Sequence, residues 1–312
     1  MMRLPPTGRR QRGVAVVTAL LLTTLAVTIV ASLFWQQQVQ VRSVENQRLH
    51  LQTRWILRGA LDWARLILRQ DGIDSQGRVT RADGVWATPL AETRLDQYVE
   101  RERVEGEDYD ATLQGQIFDA QSRYNLSNLA TIQTVGDDEV KAFAQLLTLL
   151  QLDAGLAQSA AQYAIQTKAA AQQAGTGRAP MAFQRVEDLL AVGFPQAAVE
   201  RLRDYVVVLP AATEATAVNL NTASAEVLAA VVEGMPLSEA QSLVASRKRT
   251  GLTESAVTKG RKKLTTLDVR SDYFLVLSQV RLDRAALESW SLIRRGDQSR
   301  GYQTSVVWIR EI

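Results

Sequence analysis

Residues 14–35 carry no charged side chain, a run of 22 positions dominated by Val, Ala, Leu, Thr and Ile and closed by Phe34 and Trp35. As a helix at ~1.5 Å per residue the run is about 33 Å long, the apolar thickness of a bilayer. Beyond it, Leu49, Ile56, Ala60, Trp63 and Ile67 recur at spacings of seven, four, three and four among polar neighbours. That period predicts a continuing helix whose single apolar stripe lies on a sheet. After Asp71-Gly72 the pattern breaks into turns and short apolar stretches. Tyr109, Ala111 and Leu113 alternate with polar neighbours and predict a strand, and "FDAQSRYN" predicts a tight return into another.

The period then returns to that of a helix. "DDEVKAFAQLLTLLQL" places Val140, Phe143, Leu147 and Leu150 on one face, with acids in the first turn where the helix dipole favours them. From there to about residue 250 nearly everything reads as helix, apart from the low-complexity stretch 169–177, "AAAQQAGTG", which reads as a helix end with a loop. Three β-rich stretches close the chain, "DYFLVLSQVRLD", "AALESWSLIRRG" and "QTSVVWIREI", joined by short polar links as in an antiparallel meander. A helical domain inserted between two parts of one sheet accounts for this order economically.

Two helix pairs stand out inside that insert. In "VNLNTASAEVLAAVVEGMPLSEAQSLVASRKRTG", Thr222 is the expected N-cap, Glu226 sits in the first turn, and Val227, Leu228 and Val231 supply an apolar face. Ser238 with Gln241 reads as a capping box for a second helix, which ends in Arg247, Lys248 and Arg249 before Gly251. The unit looks like a helix-hairpin-helix, and "FQRVEDLLAVGFPQAAVERLRDYVVVLP" reads as a looser copy of it. In DNA-binding versions a glycine-rich hairpin offers backbone N–H groups to phosphate. Here the turn is "VEGMPL", with one glycine and the acid Glu233, which leaves DNA binding and a protein-contact or scaffolding role as the two readings.

Composition removes most catalytic chemistry. The chain has 312 residues, 46% of them apolar, no cysteine and one histidine. Disulfides, thiolate metal sites and Cys nucleophiles are excluded, and His50 alone builds no triad or metal centre. No convergent nucleophile, base or metal cluster marks an enzyme. The net charge of +3 is a property of the leader: Arg3, Arg9, Arg10 and Arg12 precede Gly13 without an acid, and +3 less four leaves −1 for the rest. That balance gives little support to a nucleic-acid partner.

The apolar run is too long for a cleavable secretory signal, and Val30-Ala31-Ser32 is a poor version of its cleavage site. Arginines on one side only orient the leader toward the cytoplasm and the bulk of the chain outward. A short basic leader ending in glycine before an apolar helix resembles the type III signal of type IV pilins and pseudopilins, with an uncleaved signal anchor as the other reading of this stretch. The resemblance implies a cut between Gly13 and Val14 by a prepilin peptidase and N-methylation of Val14. Counted from Val14 the fifth residue is Thr18, where pilins usually carry a glutamate.

Several patterns together resemble the K-type minor pseudopilins of the type II secretion system, the GspK family. "LDWARLIL" (61–68), "DGVWATPL" (83–90), "FDAQSRYNLSNL" (118–129), "VNLNTASAEVL" and "DYFLV" occur in the family's order. Where the family usually has Gly-Arg-Phe-Asn-Leu-Asn, this chain has Ser122-Arg123-Tyr124-Asn125-Leu126-Ser127. The motif residues in place are Asp119, Arg123, Asn125, Leu126, Asn219, Asn221 and Thr222.

The resemblance implies an α+β fold: a pilin-like long amino-terminal helix packed on a small antiparallel sheet, with a large all-α domain, SAM-like or helix-hairpin-helix-like, inserted in the sheet region. The expected divisions are a leader (1–13), a transmembrane helix (14–35), the helix continuation and first part of the pilin-like domain (36–125), the helical insert (126–265, with units at about 181–210 and 218–251) and closing strands (266–312). It also implies a non-enzymatic subunit at the tip of a periplasmic pseudopilus, anchored once in the inner membrane. I- and J-type minor pseudopilins and the major pseudopilin would be its partners, supporting export of folded proteins across the outer membrane, with no nucleic acid and no required cofactor. Some K-type proteins bind calcium, for which Glu107, Asp108 and Asp110 in "VEGEDYD" and Asp137 and Asp138 in "GDDE" are the candidate ligands. Neither run has the spacing of a calcium loop, and solvated acids with a helix start account for them equally well. The alternative for the whole chain is a membrane-anchored helix-hairpin-helix protein that captures DNA during uptake.

Overall fold

The structure, a computed structural model, describes residues 12–95, 111–131, 137–172, 180–212, 214–282 and 284–312. Two compact units divide the chain, Met1–Trp55 and Ile56–Ile312. Helix α1, Arg12–Asp74, begins in the first and ends in the second.

In the first unit, α1 contains an 18-residue window of mean hydropathy 2.5, none of it buried within the protein. Its threonine hydroxyls are spent on the helix itself: Thr23 Oγ1 donates to the Ala19 carbonyl at 2.7 Å and Thr28 Oγ1 to that of Thr24 at 2.7 Å, and Thr18 and Thr24 bond back in the same way, which lowers the cost of placing them in an apolar medium.

In the second unit, α1 lies on a five-stranded sheet of order β1-β2-β7-β8-β9. The strands are β1 (Leu90–Arg94), β2 (Ala111–Asp119), β7 (Tyr273–Leu282), β8 (Ala285–Arg295) and β9 (Thr304–Glu311), and every neighbour pair is antiparallel. The α+β class read from the sequence is the class observed. The stripe on α1 is displaced by one residue, however. Leu57, Leu61, Ala64 and Leu68 are buried on the sheet, Ile56, Ala60 and Ile67 flank them, and Trp63 is 47% exposed. Both sets have the spacing four, three, four, about 100° apart on the helix. An apolar face wide enough to hold both does not reveal its centre from period alone.

Leu68 is fully buried in a cluster with Trp86, Ile117, Phe274 and Ile293. Leu68→Ala should cost about 3 kcal/mol in urea denaturation of a chain starting at residue 36. Leu66→Ala on the 63% exposed side should cost less than about 0.5 kcal/mol. Equal costs would contradict this packing.

β2 and β7 are adjacent, paired from Ala111 opposite Leu282 to Asp119 opposite Phe274. The 153 residues between them therefore leave and re-enter one end of the sheet side by side. They form their own apolar cluster, built on α2 (Asp138–Leu149), α3 (Leu156–Gln172), α4 (Gln196–Leu202), α5 (Ala225–Val231), α6 (Leu237–Ser246) and α7 (Glu254–Thr258). Val140, Phe143, Leu147 and Leu150 are buried there as their period predicts. Two expectations fail. After a 3-10 turn at Ala120–Ser122, "FDAQSRYN" does not return into the sheet: β3 (Tyr124–Asn125) pairs in parallel with β4 (Val206–Val207). The stretch is also not all helix, because β5 (Val218–Asn219) pairs in parallel with β6 (Leu267–Asp268), and the first limb of the looser helix pair is the 3-10 helix Val186–Val192.

Candidate functional site

The sequence motifs converge where the helical segment joins the sheet. β2 ends at Asp119, and its carboxylate is the hub. Oδ1 accepts from the Gln121 amide at 2.8 Å; Oδ2 accepts from Asn219 Nδ2 at 3.0 Å, Thr222 Oγ1 at 2.5 Å and Ser271 Oγ at 2.6 Å. Burial pushes this carboxyl above its ordinary range, and the bonds from Ser271, Thr222, Gln121 and Asn219 pull the other way. Asn219 Nδ2 also reaches the Thr80 carbonyl at 3.1 Å.

Arg295 of β8 closes the other side. Its Nη1 donates to Asp71 Oδ2 at 2.6 Å and the Leu68 carbonyl at 3.3 Å, while Nη2 donates to Thr80 Oγ1 at 2.9 Å and the Ser271 carbonyl at 3.0 Å. The guanidinium carbon stands 4.7 Å from the Phe274 ring centroid. One connected set of bonds thus ties α1, the loop at Thr80, β2, the entry to β7, β8 and the helical segment. Such a network stabilises when every member is satisfied and is costly when one is lost.

A second set lies deeper in the helical segment. Asn125 Oδ1 accepts from the Ser127 and Leu209 amides, each at 3.0 Å, and Nδ2 donates to Thr216 Oγ1 at 3.1 Å. Asn128 binds Thr216 in both directions and donates to Thr265 Oγ1. Thr265 and the Tyr124 hydroxyl each donate to Glu139, at 2.6 and 3.0 Å. Burial, reinforced by Glu139, raises the Tyr124 hydroxyl well above its ordinary range. Leu126 is fully buried, Arg123 Nη1 donates to the Arg203 carbonyl at 2.9 Å, and Asn221 Oδ1 accepts from the Leu252 amide at 2.7 Å. All seven motif residues therefore hold backbone or neighbouring side chains in place. Asp71, Thr80, Ser271, Arg295 and Glu139 share that work and were missed, because nothing local distinguishes them from surface polar residues.

Two capping assignments need correction. Ser224 caps α5, its Oγ accepting from the Val227 amide at 3.2 Å, while Thr222 turns inward to Asp119. Pro236 is the N-cap of α6, which places Ser238 inside the helix without a capping box. Arg247 serves the loop before α5 and not a helix end, donating to the carbonyls of Leu220, Thr222 and Ala223. Since α6 ends at Ser246, Gly251 lies beyond its cap.

The hairpin turns are closed on the protein itself. Gly193-Phe194-Pro195 and Gly234-Met235-Pro236 are equivalent: each glycine has positive φ (96° and 67°), Phe194 and Met235 are buried, and each proline caps the following helix. The Glu233 amide donates to the Lys262 carbonyl at 2.9 Å, so it is not offered to a phosphate.

The calcium ligands expected at Asp137 and Asp138 are otherwise engaged. Asp137 caps α2 by accepting from the Asp138 amide at 2.7 Å, and Asp138 pairs with Lys262 at 2.6 Å and Lys141 at 3.1 Å. Glu107, Asp108 and Asp110 lie outside the described residues. Among the described residues no group of three or more His, Cys, Asp or Glu side chains is placed to hold a metal ion. Among the described residues calcium thus finds no fitting donor set.

A long amino-terminal helix lying on an antiparallel sheet, with a helical segment spliced between adjacent strands, defines a pilin-like α+β protein. Two family models, both described as Type II secretion system (T2SS), protein K, match residues 122–211 and 218–276. Similar curated proteins are the Type II secretion system protein K of Pseudomonas aeruginosa, 29% identical over 94% of this chain and 91% of its own, and that of Klebsiella pneumoniae, 27% identical over 97% and 99%. Among solved structures, a chain of the GspK-GspI-GspJ complex from enterotoxigenic Escherichia coli superposes with a TM-score of 0.63 at 18% identity, covering 86% of this chain and 99% of that one. The chain belongs to the type II secretion system protein K family.

Proposed function

We propose that this chain is a non-enzymatic minor pseudopilin, cut between Gly13 and Val14, methylated at Val14, and placed at the tip of a periplasmic pseudopilus together with I- and J-type pseudopilins. The helix is its single inner-membrane anchor, with the amino terminus cytoplasmic. The helical segment between β2 and β7 supplies contacts and lateral bulk; its turns are closed on its own core and the polar side chains of its motifs are spent internally, which supports a structural role over DNA capture. The match to a chain of a GspK-GspI-GspJ complex supports the choice of partners.

The observation that carries the tip position is Thr18. Its Oγ1 donates to the carbonyls of Val14 at 3.1 Å and Ala15 at 3.0 Å, so the fifth mature residue asks nothing of a neighbour. A carboxylate there costs about 2.5 to 3.5 kcal/mol on insertion scales and needs a partner, which in pilins is the amino group of the preceding subunit. Head-to-tail growth gives each subunit one face for the subunit before it and another for the next. A first subunit has no predecessor and no use for the acid. Thr18→Glu should leave secretion and tip assembly little changed. A chain starting at residue 36 should retain I- and J-type partners on an affinity column and show no salt-sensitive DNA binding. Loss of secretion on Thr18→Glu, or DNA affinity falling steeply with salt, would contradict the proposal.

A further inference from the structure

The helical segment hangs on the sheet by a two-strand ribbon. It leaves at Asp119 of β2 and returns at Tyr273 of β7, and the two strands lie side by side, with Asp119 opposite Phe274. Two adjacent crossings at one end of a sheet resist rotation within its plane but form a hinge that leaves swinging toward either face free. Both faces are blocked, by unlike means. On the face away from α1, Val207 and Leu209 pack against Leu275 and Leu292, an apolar contact without direction. On the α1 face, where Ile293 joins Leu68 and Arg295 follows two residues on, the contact is polar and directional. Thr80, in the loop after α1, is 1% exposed, and every polar group it has is engaged there. Its amide donates to the Val269 carbonyl at 2.8 Å, its carbonyl accepts from Asn219 Nδ2 at 3.1 Å, and its Oγ1 accepts from the Ser271 amide at 3.1 Å and from Arg295 Nη2 at 2.9 Å.

We propose that Thr80 and Arg295 are positioning residues that set the angle at which the helical segment stands on the sheet. One guanidinium spans both sides of the hinge: Nη1 holds α1 through Asp71 Oδ2 and the Leu68 carbonyl, and Nη2 holds Thr80 Oγ1 and the Ser271 carbonyl. The planar fork fixes these two directions together, and Phe274 beneath it fixes the plane. A lysine would keep a charge for Asp71 and lose the second arm. Val207 and Leu209 cannot set the angle, because apolar side chains slide over one another at little cost in buried area. The consequence, which rests on the contact role proposed above, is pre-organisation: a segment held at one angle meets its partner without the ordering cost that a swinging one carries.

The test is double electron–electron resonance on the full chain in detergent micelles, which reads the angle with no partner or fibre present and so stands or falls apart from the contact role. The chain has no cysteine, so spin labels enter only at Leu66→Cys on α1 and Ala245→Cys on α6, both exposed positions. The expected result is one narrow distance distribution. Arg295→Lys and Thr80→Val should each broaden it at least about twofold while the helix signal in circular dichroism is retained. Thr80→Ser, which keeps the hydroxyl, and Leu209→Ala, which trims the apolar contact, should leave the native width. Native width in either Arg295→Lys or Thr80→Val would overturn the proposal, and so would equal broadening by Leu209→Ala. Unfolding of both polar variants would overturn it as well, by making these residues requirements of the fold and not of the angle.

Discussion

Gly13→Leu should leave full-length precursor in the inner membrane, with the mature form reduced by at least about tenfold and secretion lost with it. Helix α1 already includes Gly13 and Val14 in its first turn, so a peptidase that cuts between them must draw that turn into an extended conformation. Glycine lowers the cost of doing so: it is about 1 kcal/mol less favourable than leucine within a helix and puts no Cβ in the enzyme's way. Leucine would stiffen the turn and crowd the cleavage pocket, and pockets reject an added side chain by roughly 10- to 200-fold. Amino-terminal sequencing of the membrane-embedded variant is the check. A normal start at methylated Val14 would contradict the processing site.

Asp119→Ala should destabilise the fold by about 3 to 5 kcal/mol, because one substitution removes the acceptor of four hydrogen bonds to a single buried carboxylate. It would strand the hydroxyls of Thr222 and Ser271, the amide of Gln121 and one bond from Asn219, and each buried donor left unsatisfied costs about 1 to 3 kcal/mol. Asp119→Asn keeps the shape but turns an N–H₂ toward groups that already donate, so about 2 kcal/mol should be lost. The two variants ought to lower the urea midpoint with unchanged slope. A loss below about 1 kcal/mol for the alanine variant would mean that the joint is not held by this carboxylate.

The elements legible in the sequence were those long enough to show a period. Helix α1 and strands β7, β8 and β9 were found where they lie, as was the buried face of α2. The pairs β3–β4 and β5–β6 were not, since strands of two residues have no alternation to read. Thr222 and Ser224 are both hydroxyl residues just ahead of α5, and the choice of cap falls to Ser224 because Asp119, 103 positions earlier, claims Thr222. No local pattern encodes that. The joint itself was half visible: its motif residues were named, but the partners that make it a network sit at Asp71, Thr80, Ser271 and Arg295, on four other parts of the chain.

The central claim, a subunit that ends a fibre and does not repeat along it, is tested most directly by counting. Pseudopili carrying the native protein, labelled with gold through an antibody to the helical segment, should show label at one end of each fibre and none along the shaft. Label recurring at regular intervals along the shaft would contradict the account.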